Sequence, residues 1–95
     1  MPAYVIANIR VEDAEAYERY RAVVPAVITQ FGGRYLVRGG RFEALEGDMT
    51  LGRVIILEFP SYEDARRWYD SPEYEAAKAI RQGCSFGDVL IVEGV

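Results

Sequence analysis

Ninety-five residues make one domain near the small end of the usual range, and 51% hydrophobic with 13% aromatic content is enough to pack a core, which excludes low-complexity disorder. The net charge of −4 argues against a nucleic-acid partner, whose phosphates call for a basic face. No apolar run approaches the roughly 20 residues of a membrane span, Met1-Pro2-Ala3 leads into strand-like sequence without the basic start of a signal peptide, and a single cysteine, Cys84, fits a reducing cytoplasm.

The first run, Ala3 to Val11, is mostly β-branched or aromatic and apolar on both faces, which predicts a central strand. Glu12-Asp13 opens a helix, with Asp13 as N-cap and Glu15 suited to the positive end of the helix dipole. Tyr17, Tyr20, Val24, Val27, Ile28 and Phe31 recur at helical spacing and form its apolar stripe. Pro25 inside this pattern predicts a kink or a split, because it removes one backbone hydrogen bond. Gly32-Gly33 supplies the stop.

Arg34 to Gly40 follows as a strand, broken or bulged at Gly39-Gly40. Arg41 to Glu46 and Leu51 to Phe59 then read as arms of a long hairpin turning at Glu46-Gly47-Asp48. Pro60-Ser61 starts a second helical region, where Ser61 and Asp64 resemble a capping box. Ala65, Trp68 and Tyr69 face inward there. A break falls at Asp70-Ser71-Pro72, with Ser71 as a new N-cap and Pro72 as a first helical residue. That short helix is expected to run to about Arg81 and to stop at Gly83, before a last strand from Val89 to Glu93.

The order is β-α-β-β-α-β, which specifies a ferredoxin-like α+β sandwich over residues 1–95, with helices on one face of a four-stranded antiparallel sheet. The middle strands are apolar on both faces, but the helices cover only one. A second copy of the sheet is the natural cover, giving a homodimeric α/β barrel with an interface of about 1,600 Å² or more.

The chain has no histidine. This removes the Ser-His and Cys-His nucleophile pairs and the commonest transition-metal ligand, so neither a metal nor a cofactor is expected. Acid–base chemistry falls to carboxylates, tyrosines, Lys78 or Cys84. Strand alternation groups Asn8 with Tyr4 and Ile6, Glu58 with Val54 and Ile56, and Arg34 and Arg38 with Leu36. If these faces turn from the helices, Asn8, Arg38 and Glu58 line the space between the two sheets. Glu58 is the oddity, a carboxylate inside an apolar run that needs a charged or hydrogen-bonding partner, with Arg34, Arg38 and Arg53 as candidates. It reads either as a base in a ligand pocket beside an arginine for a carboxylate or enolate, or as half of a structural ion pair. Trp68 and Tyr69, beside the helix break, read as a pocket wall or as core.

Gly32-Gly33-Arg34-Tyr35-Leu36-Val37-Arg38-Gly39-Gly40, Leu45-Glu46-Gly47, Leu57-Glu58-Phe59-Pro60-Ser61, Trp68-Tyr69, Ser71-Pro72-Glu73-Tyr74 and Ile91-Val92-Glu93-Gly94 occur in order. Together they resemble the domain of unknown function 1330 family over nearly the whole chain. The resemblance implies the dimeric α/β barrel and supplies no activity. The matching positions that look functional are Arg38, Glu58, Trp68 and Tyr69. Fold relatives implied by it include cofactor-independent monooxygenases, small isomerases and dehydratases. The expectation is therefore a homodimer that binds a small organic molecule between helix and sheet, as an enzyme of monooxygenase, isomerase or lyase kind. Glu58 would be its catalytic group and Asn8, Arg38, Trp68 and Tyr69 its ligand contacts. The alternative is a non-catalytic binding or assembly module.

Overall fold

The computed structural model describes residues 1–95. Its elements are β1 (Ala3–Val11), α1 (Ala14–Gln30), β2 (Arg34–Arg38), β3 (Arg53–Phe59), α2 (Tyr62–Tyr69), α3 (Pro72–Cys84) and β4 (Ser85–Glu93). The strands lie in the order β2-β3-β1-β4, every neighbouring pair antiparallel, with the helices on one face. This is the ferredoxin-like βαββαβ arrangement. No helix is long and apolar enough to cross a membrane.

The helix ends are set by local chemistry. Asp13, Ser61 and Ser71 each accept a hydrogen bond from the backbone N–H three residues on, satisfying one of the donors a helix start leaves free. Gly32, at φ 82°, lets α1 end with Gly33 N–H bonded to the Ile28 carbonyl and Gly32 N–H bonded to that of Thr29.

Three expectations are corrected. Of the kink or split expected at Pro25, the split does not occur: α1 runs through it as one element, because a single lost backbone bond is outweighed by the packing of Tyr17, Tyr20, Val24 and Ile28. Gly83 does not stop α3, which continues to Cys84. The Cys84 carbonyl there accepts the N–H groups of Glu12 and Asp13, at 2.8 and 3.1 Å, so the β1–α1 turn supplies the terminus and β4 begins four residues earlier than expected. The first arm of the long hairpin, Arg41 to Glu46, does not form, whereas the second forms as β3 from Arg53, and residues 39–52 are irregular. Leu45 and Met49 are exposed there, so a ladder over this stretch would have no core to cover.

Ala3, Val5, Ala7 and Ile9 of β1 point to the helices with Leu57 and Phe59 of β3, and the core is built on them. The opposite face carries Tyr4, Ile6, Val54, Ile56, Leu90 and Val92, with Leu90 and Val92 nearly half exposed. This apolar sheet face has no cover within the chain.

Candidate functional site

A cavity lies between the sheet and the helices. α1 makes its main approach to α3 rather than to a strand, and this stand-off leaves a gap above β2 and β3. Ala7 at the centre of the floor contributes only a methyl group. The centre of a water-sized sphere can range over about 40 Å³ inside the cavity, several times the roughly 10–15 Å³ that one water requires. That space limits an occupant that leaves the walls in place.

One wall is aromatic. The Trp68 and Tyr74 rings stack with centroids 4.3 Å apart, and Phe59 backs Trp68 at 5.4 Å. The hydroxyls of Tyr20 and Tyr74 share a 2.8 Å hydrogen bond, and Arg81 Nε donates to the Tyr74 oxygen at 3.4 Å. Burial pushes the Tyr20 phenol far above its ordinary range, and the hydrogen-bonded Tyr74 adds to this, so it remains protonated. Tyr17 and Tyr35 are also raised by burial, opposed mainly by the guanidinium groups of Arg53 and Arg38 respectively.

Four arginines complete the lining: Arg21 from α1, Arg38 from β2, Arg53 from β3 and Arg81 from α3. No aspartate or glutamate lines it. Arg21 pairs with Glu18 at 2.7 Å, while Arg38, Arg53 and Arg81 meet no carboxylate. Arg81 is only 8% exposed. Burial works to lower its pKa, but the Tyr74, Tyr20 and Tyr69 oxygens raise it by more, and it stays charged. Three buried donors on cavity residues have no acceptor: Arg21 Nε, Arg53 Nε and Trp68 Nε1.

Arg38 reaches this cavity through a bulge. Arg34 pairs with Glu58 and Tyr35 with Leu57, but Val37 then pairs with Ile56 and Arg38 with Ile55. Leu36 is the extra residue, and it reverses the parity of everything after it. Arg38 therefore points to the helix side and lies over the Tyr35 ring, 4.6 Å from its centroid. Simple alternation would place it with Asn8 and Glu58; the bulge separates them. Arg53 stands two residues from Ile55 on the same face, diagonal to Arg38. Gly39, at φ 68°, leaves the space that the Arg53 guanidinium fills, since a Cβ there would sit 2.6 Å from Nη2.

The other expected site residues are dispersed. Glu58 is on the face turned from the helices and pairs with Arg34, whose Nε and Nη2 both reach Oε1 at 2.7 Å. Asn8 shares that face and ties down the irregular connection: its Nδ2 donates to the Thr50 carbonyl at 3.0 Å, and its Oδ1 accepts from Gly52 N–H at 2.9 Å. Trp68 lines the cavity, whereas Tyr69 stands behind it, edge-on at 6.1 Å, with Lys78 Nζ 4.3 Å over its ring. Sequence reasoning missed Arg81 and Arg21 and considered Arg53 only as a partner for Glu58. The signal for Arg81 was its place on the stripe Tyr74, Ala77, Arg81, Cys84, where an unpaired arginine is out of character.

The family model described as "Domain of unknown function (DUF1330)" matches residues 2–95. No curated protein matches the chain. Among solved structures, the chain is similar to a protein of unknown function from Rhodopseudomonas palustris, at 22% identity and TM-score 0.81, over 99% of this chain and 82% of that one. It is also similar to SnoaB, a cofactor-independent oxygenase from Streptomyces nogalater, at 10% identity and TM-score 0.67, over 99% and 93% of the two chains. A dimeric ferredoxin-like protein of unknown function from Jannaschia sp. shares 15% identity at TM-score 0.61, over 100% and 99%. At these identities the likeness is one of fold.

Proposed function

The chain belongs to the DUF1330 family, and from that premise we propose that it is a homodimeric protein that binds a small organic molecule in the cavity between helices and sheet. The observation that carries this reading is the set of unsatisfied donors on cavity residues. Buried N–H groups nearly always find a partner, and leaving one unmade costs about 1–3 kcal/mol. Three of them on one apolar cavity favour an acceptor that enters from outside. The exposed guanidinium of Arg38 forms part of the wall, and its movement admits occupants larger than a few waters.

Dimerisation is argued from the opposite side of the sheet, where Ile6, Ile56, Leu90 and Val92 lie uncovered, and a neighbour of the same fold is described as dimeric. The two faces divide the work: Glu58 and Asn8 belong to the outer face and the cavity to the inner one. A purely assembling protein would use the outer face alone, and the unsatisfied inner donors favour the binding reading over it. Catalysis on the bound molecule, of the oxygenase, isomerase or lyase kind, is the extension of this reading that the oxygenase among its fold neighbours supports.

Trp68 is the chain's one tryptophan and lines the cavity, so its fluorescence reports occupancy. Single-ring aromatic compounds, neutral and charged, are expected to change Trp68 emission saturably. Ala7→Leu, which fills the floor, is expected to abolish the change while far-ultraviolet circular dichroism stays the same. A panel without any saturable response, or one to which Ala7→Leu responds like the parent, would overturn the proposal.

A further inference from the structure

Resting on the cavity reading above, we infer that the ligand is a small organic anion, a carboxylate on an apolar or aromatic body, held by Arg38, Arg53 and Arg81 with its body against Trp68 and Tyr74. The chain as a whole carries −4, so its charge does not predict an anion site. The cavity reverses that sign locally, with four arginines and no carboxylate among its lining.

Three features make this a built site rather than a solvated basic patch. Arg81 is more than nine-tenths buried, and its one side-chain hydrogen bond is a long one to a neutral phenol. A guanidinium cannot shed its proton, so a buried one without a counter-ion is costly until an anion arrives. Arg38 and Arg53 are brought to the same face as diagonal neighbours on adjacent strands, where like charges repel. Two local devices sustain that costly arrangement: the extra residue Leu36 turns Arg38 inward, and the missing side chain of Gly39 makes room for Arg53. Finally, Trp68 Nε1 is a buried donor without an acceptor on a residue that lines the same cavity, and an indole N–H can only donate. Among the polar groups of the lining, the guanidinium and indole N–H groups can only donate, and the phenols of Tyr17, Tyr20, Tyr35 and Tyr74 can donate as well. Such a lining recognises an acceptor-only group, and a carboxylate accepts on two oxygens, matching planar guanidinium forks.

A carboxylate of one-ring size is favoured over a phosphate ester because the rest of the lining is apolar. Val5, Ala7, Ile9 and Leu57 pave the sheet side, with Val24 and Ile28 opposite.

The test compares benzoate with benzamide and phenylacetate with phenylacetamide, pairs of nearly the same shape that differ in charge. Binding is followed by Trp68 fluorescence and by calorimetry. Each carboxylate is expected to bind at least about tenfold more tightly than its amide, and to weaken as salt rises. Arg38 is exposed, so Arg38→Gln leaves the core alone, and Arg53→Gln is checked by thermal melting. Each is expected to reduce carboxylate affinity by about fivefold or more and to leave amide affinity within about twofold. Equal binding of acid and amide, or equal losses for both in the variants, overturns the anion assignment while keeping the cavity as a ligand site. Carboxylate binding that ignores both substitutions overturns it as well, because the anion then sits elsewhere. Absence of any binding by all four compounds, with no response from the neutral panel, removes the cavity reading and this inference together.

Discussion

Tyr20 shows how a single residue's surroundings become a measurable property of the whole chain. Its phenol is 8% exposed, bonded to Tyr74 and raised far above its ordinary value of 10.0. In the unfolded chain the same group titrates near that ordinary value. Above pH 10 the unfolded state therefore releases a proton that the folded state retains, and stability falls as pH rises. Thermal melts are expected to be flat in this respect below pH 9 and to drop progressively above pH 10. Tyr20→Phe should be about 1 kcal/mol less stable at neutral pH through the lost hydrogen bond, yet decline less steeply in alkali. A variant that declines as steeply as the parent would show that another group carries the effect. Glu58 is the converse case. Its place in an apolar run was plain in the sequence, and the choice among Arg34, Arg38 and Arg53 was not. The pairing register decides it for Arg34, because only Arg34 shares its face.

At the scale of elements, the junction of α2 and α3 sets the aromatic wall. Ser71, 6% exposed, accepts from Tyr74 N–H at 3.1 Å and donates to the Trp68 carbonyl at 2.8 Å, so one hydroxyl joins the end of one helix to the start of the next. Ser71→Ala removes both bonds in a place where water has little access. It should cost about 1–2 kcal/mol in urea denaturation, with a change in near-ultraviolet dichroism as the Trp68–Tyr74 stack loosens. A loss below about 0.3 kcal/mol would mean that the helix start holds without its cap. This junction was legible in the sequence, since Ser-Pro after an acidic break is a strong start signal. The bulge in β2 was not legible in its effect. Gly39-Gly40 suggested an irregularity, but the extra residue is Leu36, three positions earlier, and a one-residue shift moves every later side chain to the other face.

At the scale of the molecule, the sheet separates two roles. Its inner face, with the helices, encloses the cavity, and its outer face is the surface on which the dimer is proposed. Leu90 stands opposite Ile6 on that outer face and is 49% exposed in the single chain. Leu90→Asp would place a charge in the centre of an interface expected to bury about 1,600 Å². Sedimentation should show a dimer for the parent at tens of micromolar and a shift towards monomer for Leu90→Asp, with secondary structure retained. A monomeric parent would overturn the dimer.

Local rules of chain chemistry determined much of this protein directly from its sequence. Caps at Asp13, Ser61 and Ser71, the stop at Gly32 and the apolar runs of β1 and β3 act over a few residues, so the βαββαβ order and the family resemblance were both readable. Tertiary structure decided what depends on register and on contacts distant in the chain. It extended α3 through Gly83 because the turn at Glu12-Asp13 caps it, and it left residues 39–52 without a ladder. It also brought Arg38, Arg53 and Arg81, from three separate elements, around one apolar cavity. Alternation and helical periodicity assign a face only while spacing is regular, and neither specifies which distant faces meet. The charge lining the cavity is therefore a property of the fold, opposite in sign to the net charge that the composition shows.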